Sequence, residues 1–247
     1  MIHSSLVTRH SSLVTRHSSL VTRHSPLVTR HSSLVTTHSS LVTRHSPLFT
    51  RHSTMPTSQP LTLIQKIGKG VTIAIARVRE QGLRATTLWF TERTTRIFMG
   101  VSPARTSRVA PNLYVGGQHH RRGLKALAAR GITACVDLRR EYGDVEHGVD
   151  LARQLSLPTD DDHTPTLDEL QRAADFIGAC LAEGRGVYIH CANGVGRAPT
   201  TAAAYLVSAG LSPQQAWATL RAARPFIRPT QVQRAAIDQF ATHIHHR

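Results

Sequence analysis

The sequence predicts a single α/β domain with a central, mostly parallel sheet and helices on both faces. Three observations carry that prediction. Short apolar runs bounded by glycine alternate with longer segments of helical periodicity, and the alternation occupies residues 105–247. The run Gly186-Val187-Tyr188-Ile189 leads through a glycine-rich loop into an alanine-rich stretch that ends at Gly210, so strand, loop and helix follow directly on one another. Roughly 140 residues remain once the atypical N-terminal segments are set aside, enough for one well-buried core.

Strands are expected near Leu113, Val136, Leu155 and Tyr188, and helices from about Arg121, Leu167, Pro199, Pro213 and Thr230. The helix after Leu167 is the clearest, because Leu167, Leu170, Ala174, Ile177 and Leu181 fall on one face. A site is expected at the carboxyl ends of the strands.

The loop His190-Cys191-Ala192-Asn193-Gly194-Val195-Gly196-Arg197 is the most informative stretch. Between a strand and a helix N-terminus, the backbone N–H groups of Ala192, Asn193, Gly194, Val195 and Gly196 can converge into an anion nest, and the glycines admit close backbone approach. A thiol at its base, beside a guanidinium and the positive end of a helix, favours the thiolate, which makes Cys191 a nucleophile. The planar fork of Arg197 matches two phosphate oxygens. His190 is expected to hydrogen-bond nearby backbone and fix the loop.

These residues resemble the Cys-x5-Arg signature of the cysteine-dependent phosphatases, and the whole of 105–243 resembles their dual-specificity branch. Ala110-Pro111-Asn112-Leu113-Tyr114-Val115-Gly116-Gly117 is similar to the family's opening strand. Gly131 to Arg139 is similar to its second strand, and Arg224-Pro225-Phe226-Ile227-Arg228-Pro229-Thr230-Gln231 to its closing segment. The resemblance implies a phosphatase-like α/β fold and hydrolysis of phosphomonoesters through a cysteinyl-phosphate, without a cofactor. One departure stands out: the family usually has Ser or Thr directly after the arginine, to assist departure of the thiolate, and this chain has Ala198, with Thr200 two positions on. Slow hydrolysis of the phosphoenzyme is the expected consequence, and a phosphate-binding adaptor without turnover is the alternative it raises.

A general acid must come from Asp160-Asp161-Asp162. In the branch resembling the mitochondrial lipid-phosphate phosphatases an Asp five positions before Pro-Thr-Leu is the acid, which lands on Asp160. Asp161 is its first alternative and Asp162 the second, and Asp162 or Thr166 is also placed to cap the following helix. Asp137-Leu138-Arg139-Arg140-Glu141 ends a strand and reads as a surface ion cluster, with Arg139 pointing toward the site mouth as the alternative. No Cys or His pair has zinc-site spacing, so no metal is expected, and Cys135 and Cys180 read as core residues of a protein in a reducing compartment.

Residues 1–54 are of another kind. His-Ser-Ser-Leu-Val-Thr-Arg recurs in seven near-identical copies from His3 to Arg51. Leu and Val are adjacent in each unit, so there is no coiled-coil seam, and the segment is expected to be disordered or untranslated, with Met55 as an alternative start. Residues 55–104 are expected to be a basic, amphipathic helical connector. Its stretch 61–100 is too charged to span a bilayer and is read as docking on the catalytic domain or lying on an anionic membrane surface. The net charge of +15 shrinks to +5 beyond residue 79, because the first 79 residues hold ten basic and no acidic side chains. That mild excess suits phosphorylated substrates and does not demand nucleic acid. The expected partner is a phosphorylated protein, with phospholipid as the alternative; the expected location is cytoplasmic, or an organelle matrix if the basic N-terminus acts as a transit segment.

Overall fold

The computed structural model describes residues 63–245, so the heptapeptide repeat and Met55 lie outside the described residues. Helix α1 spans Leu63–Met99 and is kinked at Gly82, whose φ of 81° and ψ of 168° no helix can accommodate. A short helix α2 (Ala104–Ser107) and strand β1 (Arg108–Ala110) follow. Then come β2 (Leu113–Gly117), a 3-10 turn at Arg121–Gly123, α3 (Leu124–Ala128), β3 (Ile132–Arg139) and β4 (Arg153–Thr159). The chain closes with α4 (Leu167–Ala182), β5 (Gly186–Cys191), α5 (Arg197–Ser208), α6 (Pro213–Ala223) and α7 (Gln231–His245).

The strands form one five-stranded sheet in the order β1-β2-β5-β3-β4, with β1 antiparallel at the edge and the other pairings parallel. β5 is central, which explains why its side chains are buried throughout. Alternation along the strands builds two cores. Leu113, Val115, Ala134, Val136, Leu138, Val187, Ile189 and Cys191 point to the larger one, packed under α4, α5, α6 and α7. Tyr114 and Tyr188 point the other way, to a smaller cluster with Val101 and Leu127. This alternation matters for chemistry: successive residues His190 and Cys191 fall on opposite faces of the sheet.

Local signals set the helix boundaries. Thr166 and Glu169 form a capping box on α4, and Ser212 and Gln215 another on α6, with Pro213 at the first helical position. α5 begins at Arg197, two residues before the expected Pro199, because Gly196 serves as its cap.

α1 packs on the domain through polar side chains on both sides of its kink. Arg77 Nη1 donates to Phe226 O at 3.4 Å and Gln81 Nε2 to Ile227 O at 2.9 Å. Glu92 is buried, accepts from Ser102 Oγ at 2.5 Å and lies 3.8 Å from Arg224. Val71, Ile73, Ile75, Leu83, Phe90, Ile97, Phe98 and Met99 leave much of their apolar surface exposed. Among the described residues no helix is long and apolar enough to cross a membrane.

Candidate active site

The loop between β5 and α5 is built so that its carbonyls face away from the thiol. Ala192 O accepts from Gln118 N at 3.2 Å, Gly194 O from Arg224 Nε at 3.2 Å, and Val195 O from Arg228 N at 2.7 Å. With the carbonyls turned outward, the amides of the same peptides turn inward, and Gly194 N donates to Cys191 Sγ at 3.3 Å. Gly194 makes the turn possible: its φ is +63°, and a Cβ there would lie 2.3 Å from the Gly116 carbonyl. Asn193 is held from outside, its Oδ1 accepting from Arg93 Nη1 at 2.8 Å and Arg96 Nη2 at 3.4 Å. Arg224 is fully buried behind the loop and stacks its guanidinium 4.7 Å from the Phe226 ring.

Arg197 is also fully buried and richly held. Nη1 donates to Leu138 O at 3.2 Å, to Thr159 O at 2.7 Å and to Glu141 Oε2 at 3.1 Å; Nη2 donates to Glu141 Oε1 at 3.1 Å. Asp161 Oδ1 lies 3.2 Å from the same Nη2. Burial opposes the charge, but Glu141, Cys191 and Asp161 outweigh it and raise the affinity of the guanidinium for its proton. Glu141, in turn, is held down to about 2, chiefly by its bond to Arg197. The Arg197 Nε–H is buried and has no acceptor among the described residues.

Three expectations can be set beside the geometry. Glu141 does pair with Arg139 at the strand end, at 2.9 Å and with 45% of its side chain exposed, but it also grips the fork of Arg197 bidentately; the fork expected to meet phosphate is thus already engaged, and Nε–H is the donor without an acceptor among the described residues. The turn after β3 brings Glu141 back over the strand ends, which a linear reading could not show; an acid two residues past an apolar strand was the available signal. His190 does not bond backbone. Its Nε2 lies 2.8 Å from Asp144 Oδ2, a residue 46 positions away that sequence reasoning missed. Asp160 points outward, with its carboxylate 2.8 Å from Arg140 Nε and 60% of its side chain exposed, so Asp161 is the aspartate brought to Arg197.

Asp162 adopts a φ of 62°, and its carbonyl accepts from Thr230 Oγ1, while Gln233 Nε2 donates to His163 O at 2.7 Å; the acidic loop is thus pinned to the start of α7. Ala198 is buried in the main core. The Thr200 hydroxyl donates to Gly196 O at 2.9 Å. On the opposite face of the sheet Asp144 accepts from Gln118 Nε2 at 2.7 Å; burial works against its charge, but His190 and His119 hold its carboxyl below the usual range. His119 is pushed down to about 4, mainly by burial.

Known proteins resemble this chain in sequence and fold. Residues 112–211 match the family described as "Polymorphic toxin system, DSP-PTPase phosphatase". The chain is 34% identical over 100 residues to rat (Rattus norvegicus) dual specificity protein phosphatase 5, of which it spans 26%. It is 31% identical over 137 residues to human (Homo sapiens) dual specificity phosphatase 28, an alignment covering 51% of this chain and 72% of that protein. Among solved structures, PTPMT1 superposes with a TM-score of 0.51 at 22% identity, over 57% of this chain and 96% of the other. Tk-PTP in its active form gives 0.51 at 26% identity, over 56% and 97%. A relative 31% identical and covered over 72% of its length settles the affiliation: the chain belongs to the dual-specificity phosphatase family.

Proposed function

We propose that this protein removes phosphate from phosphotyrosine and phosphoserine or phosphothreonine side chains of proteins through a cysteinyl-phosphate intermediate. One observation carries the reading: Cys191 Sγ accepts from the Gly194 amide of its own loop, near a buried guanidinium whose Nε–H has no acceptor among the described residues. The Cys191 thiolate attacks phosphorus in line, forming the S–P bond as the P–O bond to the leaving oxygen breaks. The amides from Ala192 to Gly196 and the Arg197 Nε–H receive the equatorial oxygens, whose charge they meet without reorganising. Asp161, 3.2 Å from Arg197, protonates the leaving oxygen; once ionised, it takes a proton from the water that attacks phosphorus, and the S–P bond breaks to return the Cys191 thiolate and release inorganic phosphate. Asp160 remains the second choice for the acid. His190 and Thr200 act by shaping the loop, and the chemistry asks for no cofactor.

Ala192, Asn193 and Val195 are neutral, which favours a phosphoprotein over a multiply charged head group. A lipid phosphate is the second reading, favoured by Arg93, exposed on α1 and reaching the loop at Asn193. Turnover of phosphopeptides and phospholipids, measured side by side, tests both. A catalytic-efficiency advantage for phosphopeptides supports the first reading, and one for lipids overturns it. No release of phosphate from either would leave a phosphate-binding adaptor. The need for a reduced Cys191 fits a cytoplasmic location.

A further inference from the structure

We propose that His119, Cys135, Asp144 and His190 form a zinc-class divalent metal site on the face of the sheet opposite the Cys191 thiol. The four come from the loop after β2, from β3, from the turn after β3 and from β5, so no sequence spacing reveals them. All four are buried, and one ligand atom from each lies within 4.8 Å of those of the other three. Asp144 Oδ2 is the shared corner, 2.8 Å from His190 Nε2, 3.7 Å from His119 Nε2 and 3.8 Å from Cys135 Sγ. Zinc–nitrogen bonds of about 2.0–2.1 Å and zinc–sulfur bonds of about 2.3 Å place neighbouring tetrahedral ligands roughly 3.3–3.7 Å apart. The three spacings to Asp144 straddle that range, and the other separations, all within 4.8 Å, close into it by small movements of the side chains.

The donor chemistry agrees with the geometry. Two imidazoles, a thiolate and a carboxylate suit zinc, cobalt and related ions rather than magnesium or calcium. Binding would release one proton, from the Cys135 thiol, while the imidazole protons move to Nδ1. The ion's two positive charges are then matched by one thiolate and one carboxylate, so the buried complex is neutral and avoids the cost of isolated charge. A supporting bond is already in place: Gln118 Nε2 donates to Asp144 Oδ1 and orients the carboxylate. Occupancy would displace the 2.6 Å contact between His119 Nε2 and Val149 O and tie the turn carrying Asp144 to the end of β5.

The test is spectroscopic and independent of phosphatase activity. The full chain carrying Cys191→Ser is titrated with cobalt(II), and the thiolate-to-cobalt charge-transfer band is followed. The histidines of the N-terminal repeat cannot produce that band, because the three cysteines are Cys135, Cys180 and Cys191. The expected result is a band saturating at one equivalent, retained with Cys180→Ser, lost with Cys135→Ala and at least tenfold weaker in affinity with His119→Gln. A thermal midpoint that zinc raises in Cys191→Ser, but not when His119→Gln is added, supports the same site without relying on the Cys135 variant. No band in Cys191→Ser, or a band that survives Cys135→Ala, overturns the proposal.

Discussion

Asp161→Asn offers the sharpest test of the catalytic reading, because the two neighbouring aspartates differ so clearly in what they touch. Asp161 contacts the buried Arg197 at 3.2 Å with 77% of its own side chain exposed, whereas Asp160 pairs with an exposed arginine. Amidation of Asp161 leaves Arg197 with Glu141, Leu138 O and Thr159 O, so the fold loses little. Loss of a general acid costs about 10² to 10⁴ in rate, which corresponds to about 2.7–5.5 kcal/mol of barrier. The expected outcome is therefore an almost unchanged thermal midpoint with turnover down at least a hundredfold on an alkyl phosphate or phosphopeptide. The loss should shrink for an aryl phosphate whose leaving group departs without a proton, and the alkaline limb of the pH–rate profile should vanish. Asp160→Asn breaks an exposed pair worth at most about 1 kcal/mol and should leave turnover within a few-fold. If Asp160→Asn produced the hundredfold loss and Asp161→Asn did not, the assignment drawn from the Arg197 contact would be wrong.

Cys191→Ser should abolish turnover while phosphate or vanadate still binds; activity within tenfold of the parent would exclude a cysteinyl-phosphate. Ala198 removes a hydroxyl beside the departing thiolate, so pre-steady-state traces should show a burst equal to the enzyme concentration, with a slow phase that Ala198→Ser accelerates. A linear trace unaffected by that change would mean another group already does the work. Glu141 has a folded-state value near 2 against an ordinary 4.5, so its contribution to stability is present above pH 4.5 and fades as pH falls toward 2. The gap in thermal midpoint between the parent and Glu141→Gln should therefore narrow across that window, and a gap independent of pH would show that the Arg197 pairing is not its source.

The legible parts of this protein were those written in consecutive residues. Gly186 to Pro199 shows a strand, an anion nest and a helix in one reading, and Leu167 to Leu181 shows its buried face at helical spacing. What stayed hidden depends on returns of the chain. Glu141 and Asp144 lie in the turn after β3, and only the parallel pairing of β3 with β5 brings that turn to Arg197 and His190. Choosing between Asp160 and Asp161 needed the direction of each side chain, because adjacent loop residues share composition but not orientation. The roles of Arg93 and Glu92 were invisible because nothing in α1 indicates which strand ends its polar side chains will meet.

The anchoring of Glu92 carries a practical consequence. The match to the family begins at residue 112, and the resemblance in sequence begins near 105, so either boundary would suggest trimming the protein after α1. Yet Arg224, which holds Gly194 O of the catalytic loop, has its nearest carboxylate in Glu92, and Ser102 joins that carboxylate to Gly117 N. A fragment that starts at residue 112 and runs to the C-terminus would keep Arg224 but discard its Glu92 counter-charge and the Thr106 carbonyl it donates to; breaking such a buried pair costs about 3–5 kcal/mol from a total stability of the order of 5–15 kcal/mol. Such a fragment would contain every residue that performs the chemistry and still present a poorly formed phosphate cradle. Its inactivity would then report on where the domain was cut, not on what the enzyme does.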